Sequence, residues 1–130
     1  MNISALENII KQDDFISLLN KTNGVSLENI VDQEENNLLH LASRHNALMI
    51  ATFLLSSYPN LAQQQNKDGQ SPLHLFCLSN PQTPTLGQTL IPYSNLSQVD
   101  HAGYTAYSLA QECAPDFVVS LFSNNISMKV

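Results

Sequence analysis

The chain has 130 residues, 43% of them apolar and 12% charged, with a formal net charge of −6. That length suits one compact or one short repeat domain, and the charged share is roughly half of the usual ~25%, so solubility leans on Asn, Gln and Ser. Five Lys and Arg against eleven Asp and Glu cannot line a phosphate-binding groove, no apolar run reaches bilayer length, and Glu7 and Lys11 break the first apolar stretch; the expectation is no nucleic acid, no membrane and no secretory signal.

From the amino end, Ile3, Leu6, Ile9 and Ile10 fall on one helical stripe that runs to Lys11. Asp13 reads as the N-cap of a second helix carrying Phe15, Ile16, Leu18 and Leu19, which Asn23-Gly24 closes. Val25 to Val31 is a return segment. Asn37-Leu38-Leu39-His40-Leu41-Ala42 then opens a helix near Leu38. The next helix, Ala47 to Ser57, is apolar almost all round, which predicts packing on several sides before Tyr58-Pro59-Asn60 ends it.

Ser71-Pro72-Leu73-His74-Leu75-Phe76 opens the fifth helix in the same way as Asn37 to Ala42 opens the third. Pro81, Pro84 and Gly87 then allow only a short helix from Pro84 to Leu90, with Thr83-Pro84 as cap and first position and a loop at Asn80–Thr83. Ile91-Pro92 stops it, because a residue before proline avoids α geometry. Thr105-Ala106-Tyr107-Ser108-Leu109-Ala110 opens a helix to Cys113, and Pro115-Asp116 opens the last one, Asp116 to Ser123. The tail from Asn124 reads as frayed.

The three hexapeptides start at residues 37, 71 and 105, a period of 34 residues. They resemble the T-P-L-H-x-A signature of the ankyrin repeat. The segments Asn66-Lys67-Asp68-Gly69-Gln70 and Asp100-His101-Ala102-Gly103-Tyr104 are similar to that family's D-x-x-G-x hairpin, whereas Asp32-Gln33-Glu34-Glu35-Asn36 lacks the Gly and puts Glu35 in its place. The resemblance implies an all-α solenoid of stacked antiparallel helix pairs joined by hairpin turns. It divides a single domain, 1–130, into repeats 32–65, 66–99 and 100–130 behind a degenerate capping repeat, 1–31. It also implies that His40 and His74 tie adjacent repeats through hydrogen bonds, with Asn37 replacing Thr in the first copy and Ser108 replacing His in the last.

The chemistry otherwise available is thin. His74 and Cys77 share one helix at a spacing that can ligate zinc, but two ligands are not four, and no metal or other cofactor is expected. Cys113 has Glu112 beside it, where an activated thiolate needs cations, and neither an oxyanion loop nor a phosphate loop is visible, so no enzymatic activity is expected. Cys77 and Cys113 fall on the first helices of successive repeats, about 8–10 Å apart and too far for an unstrained disulfide. Reduced thiols in a cytoplasmic protein are the expectation.

What the resemblance implies instead is a protein-binding face, made of hairpin tips and exposed inner-helix positions. Carried across the matched motifs, it comprises Gln33, Glu34, Asn36, Arg44 and His45, then Lys67, Asp68, Gln70, Leu78 and Ser79, then His101, Ala102, Tyr104, Glu112 and Cys113. Tyr104, Arg44 and Leu78 are the residue types that most often carry binding energy there. Two settings fit. One is a pathogen effector or host-directed adaptor acting in host cytosol. The other is an inhibitor of NF-κB-like protein masking a basic transcription factor, which the run Tyr58 to Leu75 resembles locally. The last helix adds a third expectation: Phe117, Leu121 and Val118 pack inward, and the remaining apolar side chains face out as a surface for self-association unless residues 124–130 cover them.

Overall fold

Asn37, Ser71 and Thr105 each accept the backbone N–H three residues on, from His40 at 2.8 Å, His74 at 3.4 Å and Ser108 at 3.1 Å. Such a cap satisfies one of the orphan donors at a helix start. In the first two copies the histidine completes the exchange, its Nδ1 accepting the N–H of Asn37 or Ser71 at 3.1 Å. Local chemistry therefore starts three helices in one manner. Asn46 and Asn80, also 34 residues apart, follow the first two in left-handed backbone with φ of 56° and 54°.

The computed structural model describes residues 3–126, and side chains from Ser4 to Phe122. Eight helices are present among them: α1 (Ile3–Lys11), α2 (Phe15–Lys21), α3 (Leu38–Arg44), α4 (Leu48–Ser57), α5 (Pro72–Leu78), α6 (Thr85–Leu90), α7 (Ala106–Cys113) and α8 (Asp116–Ile126). Short 3-10 turns occupy Leu27–Asn29, Pro59–Gln63 and Ile91–Tyr93. Each odd helix pairs with the even one after it. The odd helices also pack on one another in sequence as an inner row, and α4, α6 and α8 pack successively as an outer row. The core runs continuously through the stack, from Leu6 and Ile10 through Leu38, Leu54, Leu61 and Phe76 to Phe122. Each fully buried side chain of this size contributes about 1.5–3 kcal/mol.

Three hairpins precede α3, α5 and α7. In each, one side-chain oxygen accepts two backbone N–H groups: Asp32 from Glu34 and Asn36, Asn66 from Asp68 and Gln70, Asp100 from Ala102 and Tyr104, all at 2.9–3.0 Å. The fourth position is left-handed throughout, with φ of 63° at Glu35, 78° at Gly69 and 90° at Gly103. Glu35 thus tolerates the backbone that glycine supplies in the other copies, at the cost that any Cβ incurs there. Gly69 is under a second constraint. A Cβ there would lie 2.5 Å from His101 Cδ2 and 2.9 Å from His101 N, so the next hairpin needs its absence.

Several sequence expectations are corrected. Asp14, not Asp13, caps α2, accepting Ser17 N–H at 3.1 Å. Asp13 has φ of 51° and reaches to the next pair, where its carboxylate accepts the N–H groups of Met49 and Ile50, both at 3.0 Å. It is the cap that α4 lacks locally, since Ala47 has no capping side chain. Replacing Asp13 by Ala is expected to lower the unfolding free energy by about 1–2 kcal/mol, measured by urea denaturation. An unchanged midpoint would show that solvent satisfies those N–H groups equally well.

The outer helix α4 does pack on several sides, against α3, α6 and the Pro59–Gln63 turn, and leaves one face open, where Met49 is 61% exposed and Thr52 and Ser56 are exposed with it. Pro84 rather than Thr83 holds the N-cap position of α6. Ile91 keeps α geometry before Pro92, with φ −55° and ψ −44°, and the chain passes into a 3-10 turn there instead of breaking. Gly87 is a close-packing point. A Cβ on it would lie 2.6 Å from Leu121 Cδ1 and 2.7 Å from Phe76 Cε2. In α8 Val118 packs inward as expected and Leu121 packs partly buried against Gly87, but Phe122, set 5.4 Å from the Tyr107 ring, takes the inward place expected of Phe117, which points out. The helix continues to Ile126 instead of fraying after Ser123. Covering of α8 by residues 124–130 falls outside the described side chains.

Candidate functional site: the hairpin ridge

The hairpins are bonded to one another. Lys67 N–H donates to the Glu34 carbonyl at 2.8 Å and His101 N–H to the Asp68 carbonyl at 3.0 Å. These links place Gln33 and Glu34, Lys67 and Asp68, and His101 and Ala102 in one row, all exposed. Tyr104 stands beside the third tip with 47% of its surface exposed. The row is a rigid backbone ridge carrying free side chains of mixed chemistry.

Not every expected contact residue belongs to it. Asn36 is buried, because its Oδ1 accepts Asn66 Nδ2 at 2.8 Å across the stacked hairpins and its own Nδ2 donates to Asp32 at 3.1 Å. It is a structural strut and leaves the contact set. Gln70 is half-buried. Ser79 is half-buried too, receiving Asn46 Nδ2 at 3.0 Å and donating to the Phe76 carbonyl at 2.7 Å. Leu78 is 40% exposed, and Glu112 and Cys113 are exposed at the far end of α7.

Arg44 and His45 are engaged with the amino-terminal pair. Glu7 of α1 lies 3.4 Å from Arg44 Nη1 and 2.7 Å from His45 Nε2. With Ser4, Asp32, Gln33 and Glu34 it lines a polar cleft of about 270 Å³ beside the first hairpin. Sequence reasoning missed Ser4 and Glu7 as neighbours of the ridge. The lone signal was a carboxylate on an otherwise apolar helical stripe.

His40 and His74 lie beneath the ridge and reach the hairpin of the following repeat. His40 Nε2 is 2.7 Å from the Gln70 carbonyl, and His74 Nε2 is 3.0 Å from the Tyr104 carbonyl. Because Nδ1 accepts and the partner of Nε2 is a carbonyl, the neutral ring with a proton on Nε2 satisfies both ends. Burial pushes His40 down to about 4, against the opposing pull of the Gln70 carbonyl and of Asp32. His74 is lowered for the same first reason, opposed by the Tyr104 carbonyl and Asp100. Neutral rings at pH 7 fit this bonding.

Among the described residues, no group of three or more His, Cys, Asp and Glu is arranged to hold a metal. Cys77 and Cys113 are both free thiols; burial, with a smaller effect of Cys113, pushes Cys77 up to about 12, which leaves it a poor nucleophile.

The stacked helix pairs, their hairpin ridge and the 34-residue spacing converge with a match to the family profile of ankyrin repeats (three copies) over residues 39–130. The chain belongs to the ankyrin-repeat family. No curated protein matches it. Ankyrin repeats are protein–protein interaction modules, and the family fold is a non-enzymatic one. No described helix of this ankyrin protein is long and apolar enough to cross a membrane.

Proposed function

We propose that the protein binds a protein partner, without catalysis, through the hairpin ridge and the exposed ends of the inner helices. One observation carries this reading: the hairpin backbones are bonded into a fixed row while Gln33, Glu34, Lys67, Asp68, His101 and Tyr104 remain exposed along it. A preorganised row costs little ordering entropy on binding. Leu78 and Glu112 extend the surface beyond the tips, and Gln70 and Ser79 contribute only at its edge. Arg44 and His45 act through Glu7, so they join α1 to the binding surface rather than offering free contacts. In this reading residues 1–31 cap the stack and the repeats occupy 32–65, 66–99 and 100–130.

Glu34, Glu35 and Asp68 at exposed tip positions favour a basic partner surface. That charge would suit an inhibitor of NF-κB-like role. The alternative role, an effector or host-directed adaptor, would place the same surface in host cytosol. Self-association through α8 has less support, since Val118 and Phe122 are buried and Phe117 is only 37% exposed.

The test is a pull-down from cytosolic extract followed by titration of the recovered partner. Tyr104→Ala is expected to weaken binding about tenfold, by analogy with other aromatic hot spots, with the thermal midpoint unchanged. Full affinity in Tyr104→Ala and Lys67→Ala, with loss on substitution in the Asn80–Thr83 loop, would place the contact elsewhere.

A further inference from the structure

The outer row carries a second surface, and none of the ridge residues lines it. Between α2 and α4 lies an open cleft of about 440 Å³ bounded by Phe15, Leu48, Met49, Thr52, Phe53 and Ser56. Phe15 and Phe53 close its floor, with ring centroids 4.8 Å apart. Along α4, Met49, Thr52, Phe53 and Ser56 follow i, i+3, i+4, i+7 spacing, a stripe about 10 Å long. α2 exposes further apolar side chains, Ile16 at 64% and Leu19, one turn beyond Phe15, at 37%. A volume of this size lies within the usual range for ligand-holding clefts, and an exposed methionine is an adaptable lining.

Charge decides what fits it. Asp13 sits at the end of the groove, its carboxylate on the N–H groups of Met49 and Ile50, and Asp14 directly precedes Phe15. Lys11, exposed two residues upstream, offsets only one of these charges. A second copy of the chain seated here would bring both Asp pairs together, each on a molecule of formal charge −6. A cationic occupant meets no such penalty. We propose that the groove between α2 and α4 is a second docking site, for an amphipathic helical segment of a partner that lays large apolar side chains into the cleft and turns Lys or Arg toward Asp13 and Asp14. Helix-in-groove recognition uses the same spacing on both sides of the contact. The inference goes beyond the ridge reading and stands apart from it.

The experiment titrates the full chain with two synthetic 14-residue helical peptides. Both carry leucine at i, i+3, i+4 and i+7; one has lysine and the other glutamate on the remaining face. The readouts are fluorescence anisotropy and the methyl signal of Met49, assigned by its loss in Met49→Gln. The lysine peptide is expected to bind at least about tenfold more tightly than the glutamate peptide and to shift the Met49 signal. Met49→Gln and Thr52→Tyr, both at exposed positions, are expected to weaken it at least about fivefold, by removing the apolar contact and by filling the cleft. Asp14→Asn, which keeps a capping side chain, should narrow the preference between peptides, and Tyr104→Ala should leave it unchanged. Failure of the lysine peptide to bind would overturn the proposal, as would undiminished binding to Met49→Gln and Thr52→Tyr. So would a Met49 signal that shifts with protein concentration alone, because a second copy would then cover the groove.

Discussion

His40→Ala is expected to lower the unfolding free energy by about 3 kcal/mol, because the buried ring is the partner of the Asn37 N–H, ties the Gln70 carbonyl of the next hairpin and fills space in the core. The ring is fully buried, its Nε2 lies 2.7 Å from the Gln70 carbonyl and its Nδ1 accepts the Asn37 N–H at 3.1 Å. Truncation strands the Asn37 N–H, removes the bond between repeats from a Gln70 carbonyl that keeps only the Asn66 N–H of its own hairpin, and leaves a cavity where the imidazole stood. His74→Ala should cost somewhat less, about 1–3 kcal/mol, since its bond to the Tyr104 carbonyl is longer at 3.0 Å. Urea denaturation of the two variants measures both losses. Midpoints within error of the wild type would mean that the rings fill space without tying the repeats. Elemental analysis supplies a second check: both variants and the wild type should purify without metal, and stoichiometric zinc lost in His74→Ala would assign that ring to a metal site.

The same rings make stability depend on pH. His40 is held neutral in the fold, its pKa lowered from 6.5 to about 4 by burial, with the Gln70 carbonyl opposing. Above pH 6.5 the ring is neutral whether the chain is folded or not, and its contribution is complete. Between 6.5 and about 4 the unfolded chain takes up a proton that the folded ring refuses, so each step down in pH favours unfolding. Below about 4 both states are protonated and the contribution is gone. The loss across the window is on the order of 3 kcal/mol for His40 alone. His74, lowered in the same direction, adds to it from the upper end of the window. Protonation also converts Nδ1 from acceptor to donor and sets it against the Asn37 N–H. Asp14 is lowered by its bonds to Ser17 and therefore acts below 3.8, outside most of this range. Urea midpoints measured from pH 4 to 8 should fall steeply below 6.5 in the wild type and much less steeply in His40→Ala. A wild-type profile flat between 6.5 and 4.5 would contradict the neutral buried ring.

The sequence by itself determined the repeated features whose hydrogen bonds close within a few residues. Asn37, Ser71 and Thr105 bond to the N–H three positions on, and Asp32, Asn66 and Asp100 to those two and four positions on. Repetition of these residues at a spacing of 34 therefore specified three hairpins and three inner helices before any packing was known. Only the tertiary structure decided contacts between atoms that lie some thirty residues apart along the chain. Asp13 reads locally as a cap for α2, and the turn of α1 onto α2 aims it at Met49 and Ile50 instead. Asn36 sits at a hairpin position that is exposed in an isolated turn, and the hairpin stacked on it buries it against Asn66. Periodicity limited how many α8 side chains could face inward, but the angle at which α8 meets α7 selected Val118 and Phe122 over Phe117. Such choices depend on the relative rotation of packed helices, which a hydrophobic stripe about 100° wide leaves free by nearly one residue position.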